Sequence, residues 1–258
     1  MKIISHFFML ALCLGSFLPT VQGQEYKVSM SSGKLLFDGV SKVTFEAHSG
    51  NEVIILHEDA DYKLPERAKG LRAISASGKV DNTNIGLHAH KEGDKLSISS
   101  ISKKSKRYLV KVPPGVSIEY KHSSNNGGKI NFHSLPNEIE VSANYNSIYL
   151  ENVSGPVAVS TVYGKIEAIY DRLPKDQPIK LYSVYQLIDI SLPATAKANV
   201  KLQSTYGEMY TDFDLKQESS EGDLHKLSSS KITGTINGGG TFLDLSSTYQ
   251  NIYLRKKK

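Results

Sequence analysis

The sequence predicts an all-β protein whose larger part is a β-solenoid, a chain wound in stacked coils of about 20 residues. Three observations predict it. Apolar and polar residues alternate along short runs rich in Val, Ile, Tyr, Ser and Thr, the period of a strand with one buried face. An apolar period of 3.6 is almost absent after residue 23, and only Pro65 to Arg72 could form a short helix or turn. Five segments in the second half align on one tyrosine: VSANYNSIYL (141–150), VSTVYGKIEA (159–168), LYSVYQLIDI (181–190), LQSTYGEMYT (202–211) and LSSTYQNIYL (245–254).

Residues 1–23 read as a signal peptide. Lys2 gives the positive start, Phe7 to Leu18 the apolar run, and Val21 and Gly23 the small residues of a cleavage site. That run is short for a membrane span, and no later stretch reaches span length. Cys13, the only cysteine, falls inside it, so the mature chain would hold together by burial and backbone pairing rather than by disulfides. Residues 24–112 read as antiparallel strands forming a cap on the solenoid. Examples are Val43 to Ala47, Ile85 to Ala89 and Lys95 to Ile98, with Lys91 to Lys95 as a hairpin loop. Pro113-Pro114-Gly115 breaks the pattern and marks the boundary.

From 113 to 258 the repeat takes over, ending in a basic tail. Two degenerate copies are expected, around Asn126 to Phe132 and Leu227 to Gly234. The apolar residue after each turn is then Ile130, Ile148, Ile166, Ile188, Met209, Ile232 or Ile252. About 20 residues at ~3.3 Å each suit one closed coil, and coils ~4.8 Å apart would pair strand on strand. Val141, Val159, Leu181, Leu202 and Leu245 stand four before the tyrosine. Small residues (Ala143, Thr161, Ser183, Ser204, Ser247) stand two before it. Apolar parity switches across the tyrosine, which places a corner there. Asn146, Gly164, Gln186, Gly207 and Gln250 follow it and suit a tight turn.

Composition narrows the function classes. Of 258 residues 22% are charged and 39% hydrophobic, which fits neither a multi-spanning membrane protein nor a disordered chain. The net charge of +5 is contributed by Lys2 and the tail Arg255, Lys256, Lys257 and Lys258, so the body is balanced. A broadly basic nucleic-acid-binding body is excluded. The tail reads as a solvated end or as a contact for an anionic surface.

ERAKGLR (66–72), DNTNIGL (81–87), VPPGVSIEY (112–120), the Tyr-Gly-x-Ile repeats and TGTINGGGTFLDLSSTYQNIYLRK (233–256) resemble the bacterial "putative adhesin" family of exported proteins common in Bacteroidetes. The resemblance covers nearly the whole chain after Gln24. It implies a right-handed β-helix or related β-roll in an exported protein, and no catalytic motif.

Two columns could carry function. The ladder Tyr145, Tyr163, Tyr185, Tyr206 and Tyr249 could meet sugar rings, but reads as structural, with room beside the small residues for rings to fold inward. Four after each of these stand Tyr149, Glu167, Asp189, Tyr210 and Tyr253, with outward parity. Glu167 and Asp189 would lie on adjacent coils, where like charges raise one pKa. Carboxylates flanked by tyrosines suit a glycan-binding face or a glycosidase. His88 and His90 share a strand face and could begin a metal site, but no third ligand is fixed, so none is expected. Lys103, Lys104, Lys106 and Arg107 read as a charged loop, and Gly238 to Gly240 as a turn. No G-x-S-x-G or H-E-x-x-H occurs, and no cofactor is expected. The leading expectation is an exported non-enzymatic interaction module, in the periplasm, on the surface or secreted, with a glycan or another exported protein as partner. A polysaccharide lyase or hydrolase using an outward face is the alternative.

Overall fold

The computed structural model describes residues 25–59, 66–102, 104–217 and 230–258. Residues 1–23, expected to be a signal peptide and including Cys13, lie outside them, as do Pro65, Lys103 and residues 227–229. Every regular element described is a strand, apart from one 3-10 turn at Glu66–Ala68, inside the stretch expected to turn. In chain order the strands are β1 (Glu25–Ser29), β2 (Ser32–Asp38), β3 (Lys42–Ala47), β4 (Glu52–His57), β5 (Leu87–Glu92), β6 (Lys95–Ser100) and β7 (Arg107–Val112). Then come β8 (Gly115–His122), β9 (Lys129–His133), β10 (Ile139–Ala143), β11 (Ser147–Glu151), β12 (Val157–Thr161), β13 (Ile166–Ile169), β14 (Ile179–Ser183) and β15 (Ile188–Leu192). The last are β16 (Ala198–Ser204), β17 (Met209–Thr211), β18 (Lys216–Gln217), β19 (Ser230–Ile236), β20 (Thr241–Ser247) and β21 (Ile252–Lys256).

These strands build two large mixed sheets. Listed by hydrogen-bonded neighbours, sheet I runs β1-β4-β7-β3-β9-β11-β13-β15-β21-β17 and sheet II runs β18-β19-β16-β20-β14-β12-β10-β8-β2-β6-β5. One strand from each sheet, joined by a short corner, makes a rung. Among the described residues the rungs stack in the order β6/β7, β2/β3, β8/β9, β10/β11, β12/β13, β14/β15, β20/β21, β16/β17. Pairing between these rungs is parallel. Antiparallel strands cover the ends: β5 on β6, β4 and then β1 on β7, and β19 and then β18 on β16.

The inward residues of both sheets merge into one buried cluster. Val43, Ile130, Ile148, Ile166, Ile188, Ile252 and Met209 follow one another in register along sheet I. Ile130, Ile148, Ile166, Ile188 and Ile252 are fully buried. Burial of each such side chain contributes about 1.5–3 kcal/mol before chain entropy is counted.

The small column is explained by the corners. Thr161 Oγ1 accepts from the Gly164 N–H at 3.2 Å and donates to the Asn146 carbonyl at 3.1 Å. Ser183 repeats this with the Gln186 N–H and the Gly164 carbonyl, and Ser204 and Ser247 accept from the N–H groups of Gly207 and Gln250. A hydroxyl two residues before Tyr163, Tyr185, Tyr206 and Tyr249 therefore closes each of those turns and satisfies buried backbone groups, while Ala143 stands at that place before Tyr145. Gly164 is required by close approach, since a Cβ there would stand 1.6 Å from the Asn146 carbonyl oxygen.

Three expectations need correction. First, residues 24–112 are not an antiparallel layer. β2 pairs parallel with β6 and β8, and β3 with β7 and β9, so both sheets run on past Pro113. Alternation says which face is buried but not which way a neighbour points. The Pro113 turn is tied to the next rung by Asn137 Nδ2, which donates to the Pro113 and Val116 carbonyls, both at 2.7 Å. Second, rung order is not chain order at either end. β2/β3 sits between β6/β7 and β8/β9, and β20/β21 sits between β14/β15 and β16/β17. The link between β3 and β4 passes the end of β7, which lies between them, and the link between β19 and β20 passes the start of β16 in the same way. Gly238 and Gly239, at φ 84 and 86, make that second link. Third, Ile232 does not join the post-corner column. It lies on β19, antiparallel to β16 and opposite Leu202.

Candidate functional site

The outward column of sheet I is one continuous row. Asn131, Tyr149, Glu167, Asp189, Tyr253 and Tyr210 are consecutive register partners on β9, β11, β13, β15, β21 and β17. All five residues expected to share a face do so, with Tyr253 ahead of Tyr210 because β20/β21 is interleaved. Two residues further along the strands, His133, Glu151, Ile169, Ser191 and Arg255 form a second outward row. Between the rows lies an open depression of about 400 Å³, lined by Tyr149, Glu151, Glu167, Ile169, Asp189 and Arg255 among others.

Each carboxylate of the pair has its own cation. Lys165 Nζ lies 2.7 Å from Glu167 Oε1, and Arg255 Nη2 lies 2.6 Å from Asp189 Oδ2. His133 Nδ1 stands 3.0 Å from Glu151. Burial pushes the Asp189 carboxyl above the usual aspartate range, Arg255 draws it back, and neighbouring Glu167 pushes it up again. The Lys129 and Lys165 ammonium groups stand 5.2 and 5.3 Å from the Tyr149 ring centroid, and Arg255 stands 5.3 Å from that of Tyr253. Lys165 and Arg255 were missed from the sequence. Each lies two residues from a member of the row, Lys165 before Glu167 and Arg255 after Tyr253, so outward parity alone could have found them.

The raised Asp189 carboxyl gives a pH test with a definite sign. An acid raised in the folded state holds its proton more tightly there than in the unfolded chain. Its stabilising contribution is full below the ordinary range and is lost as pH rises through the folded-state value. Urea unfolding at a series of pH values should therefore show wild type losing stability relative to Asp189→Asn from about pH 4 upward. Parallel curves would remove the effect.

The tyrosine ladder faces outward, not inward. Ring centroids are 4.8 Å apart for Tyr145–Tyr163, 4.9 Å for Tyr163–Tyr185, 4.8 Å for Tyr185–Tyr249 and 5.1 Å for Tyr249–Tyr206, with near-parallel planes. The buried hydroxyls and backbone already fill the space beneath the corner. Backbone bonds from the N–H groups of Tyr163, Tyr185, Tyr249 and Tyr206 to the rung beside each hold the spacing. Such stacking contributes about 0.5–1.5 kcal/mol per pair beyond burial. It also covers the ring faces, leaving edges and hydroxyls to solvent, so a sugar cannot lie flat on the inner members. The two end members, Tyr145 and Tyr206, each stack on one ladder neighbour only, and Tyr206 is the more exposed, at 71%.

The other candidates are not brought together. His88 Nδ1 bonds the Val80 carbonyl at 2.8 Å while His90 is exposed. Among the described residues no group of three or more His, Cys, Asp or Glu side chains converges on a metal position. No helix of the described residues is long and apolar enough to cross a membrane.

No family model and no curated protein matches the chain. Among solved structures, the crystal structure of a "putative cell adhesion protein" from Clostridium sporogenes matches 92% of this chain and 100% of that one, at 9% identity and a TM-score of 0.47. It is a distant structural neighbour.

Proposed function

We propose that this chain is an exported, non-enzymatic interaction module of the right-handed β-solenoid kind, related to the adhesin-like exported proteins of Bacteroidetes. It works in the periplasm or at the cell surface and binds a glycan across the outward row of sheet I. The observation that carries this reading is the pairing of both carboxylates with the chain's own cations in an open depression. Glu167 and Asp189 are held by Lys165 and Arg255, and Tyr149 offers a ring with no aromatic register partner. Such a surface supplies charged and hydrogen-bonding groups fixed in place around a partly buried aromatic ring, the parts of a shallow sugar site.

A glycan panel read for both retention and reducing-end release tests it. Retention without release is expected, with Tyr149→Ala and Glu167→Gln each weakening it about ten-fold, roughly 1.4 kcal/mol. Retention unchanged in both variants, or none on any glycan, would defeat the proposal. One observation favours a second reading: the raised Asp189 carboxyl could serve as a general acid beside Glu167 in a glycosidase. Release of reducing ends that is lost in Asp189→Asn would establish that enzyme instead.

A further inference from the structure

The outward face of sheet II has a depression of its own, of about 330 Å³, across the buried core from the sheet I row. Its cause is local. β12 offers only Ala158 and Ser160 to solvent, and β10 beside it offers Ser142 next to Glu140. On the other side β14 raises Lys180 and Tyr182, the register partners of Ala158 and Ser160. Short side chains in the middle and long ones beside them leave a trough with one aromatic wall.

Tyr182 forms that wall. Both of its register partners are serines, Ser160 on β12 and Ser246 on β20, so no ring stands beside it in its row. Its hydroxyl lies 3.2 Å from Thr248 Oγ1, at the corner that follows β20. The ring therefore leans toward β20, and its other face looks over Ser160. It is 41% exposed, unlike the inner ladder tyrosines in that neither face is covered by another ring. The hydroxyls of Ser142 and Ser160 line the trough with no hydrogen-bond partner among the described residues. The charges around it balance, Glu140 and Asp244 against Lys180 and Lys201. Lys201 is held by Asp244 at 2.9 Å, and Glu140 lies 3.9 Å from Lys34.

We propose that this trough is a second carbohydrate site, taking a neutral pyranose chain. A sugar ring lies against the β12-side face of Tyr182, and its hydroxyls meet those of Ser142 and Ser160 on the floor. An aromatic face beside unengaged hydroxyls supplies both contacts a pyranose needs, and the balanced rim gives no preference for a charged sugar. The inference stands on sheet II alone and does not rest on the sheet I reading. Because the two outward faces lie on opposite sides of one core, a chain with both sites occupied would bridge two glycans.

The test titrates the full chain calorimetrically with neutral hexasaccharides of glucose, mannose, galactose and N-acetylglucosamine. At least one should bind, with an affinity that changes less than about two-fold as salt is raised ten-fold. Tyr182→Ala should weaken it about ten-fold, and Tyr182→Phe, which keeps the ring, should not. The double variant Ser142→Lys/Ser160→Lys, both changes at exposed positions, should fill the trough and abolish this binding with the denaturation midpoint unchanged. Binding lost in Tyr149→Ala but not in Tyr182→Ala would overturn the sheet II site and leave the sheet I reading standing. The reverse pattern would support the sheet II site and defeat the sheet I reading. Two sugars bound per chain, one lost in each variant, would support both, and such a chain should clump glycan-coated beads. No hexasaccharide bound would overturn the site. So would self-association that disappears in Tyr182→Ala without sugar binding, since the trough would then be a contact between copies.

Discussion

Ending the chain at Gly240 should abolish cooperative folding rather than trim one end. The missing residues would be β20 and β21, which lie inside the stack. β20 is bonded to β14 on one side and β16 on the other, and β21 to β15 and β17. Leu243, Leu245, Ile252 and Leu254 on this rung are fully buried. Without it, β16/β17 would lose its parallel neighbour in both sheets, and β14/β15 would present two open edges. A milder form of the experiment is Leu245→Ala, with an expected loss of about 2–5 kcal/mol in chemical denaturation. The comparison is Val28→Ala on the edge strand β1, where the side chain is only partly buried, and a much smaller loss is expected. Similar losses at the two positions would mean that the last rung behaves as an end.

The opposite end of the stack should respond with similar force to Phe45→Ala. Phe45 on β3 is fully buried, stacked on Phe132 of β9 at 5.0 Å and edge-on to Phe37 of β2 at 5.2 Å. The three rings join the interleaved rung β2/β3 to β8/β9. Truncation leaves a cavity in a core that is held by backbone pairing on both sides and can collapse little. The expected cost is about 3–5 kcal/mol, read as a lower denaturation midpoint with an unchanged slope. A cost below ~1 kcal/mol would show that the junction is loosely packed.

The repeat made the middle of this fold legible and left the ends obscure, for a physical reason. Between Ile130 and Leu192 successive rungs are also neighbours in space, so columns read from the sequence are columns in the sheets. The five outward residues were legible by parity alone. At the ends the same patterns carry no information about which rung lies beside which. Leu202 and Leu245 share one residue type, and nothing local states that β20 enters between β14 and β16. Ile232 has the right type and spacing for the post-corner column but pairs across β16 instead, because an antiparallel neighbour also needs alternating apolar residues. The outward tyrosines were misjudged because the small column looked like space for a ring, whereas Ser and Thr hydroxyls occupy it in the service of the turns.

The interleaving sets an order of events for a chain made from its N-terminus. The rung β16/β17 exists in sequence before the rung on which it rests, so it has no parallel partner until residues 241–256 arrive. Stepwise addition of rungs in chain order can proceed only as far as β14/β15. From there, closure couples segments about 60 residues apart, the kind of distant pairing that slows folding. A nascent chain therefore stays unlatched until residue 256 or so has been made, and a single late insertion commits everything from β16 onward.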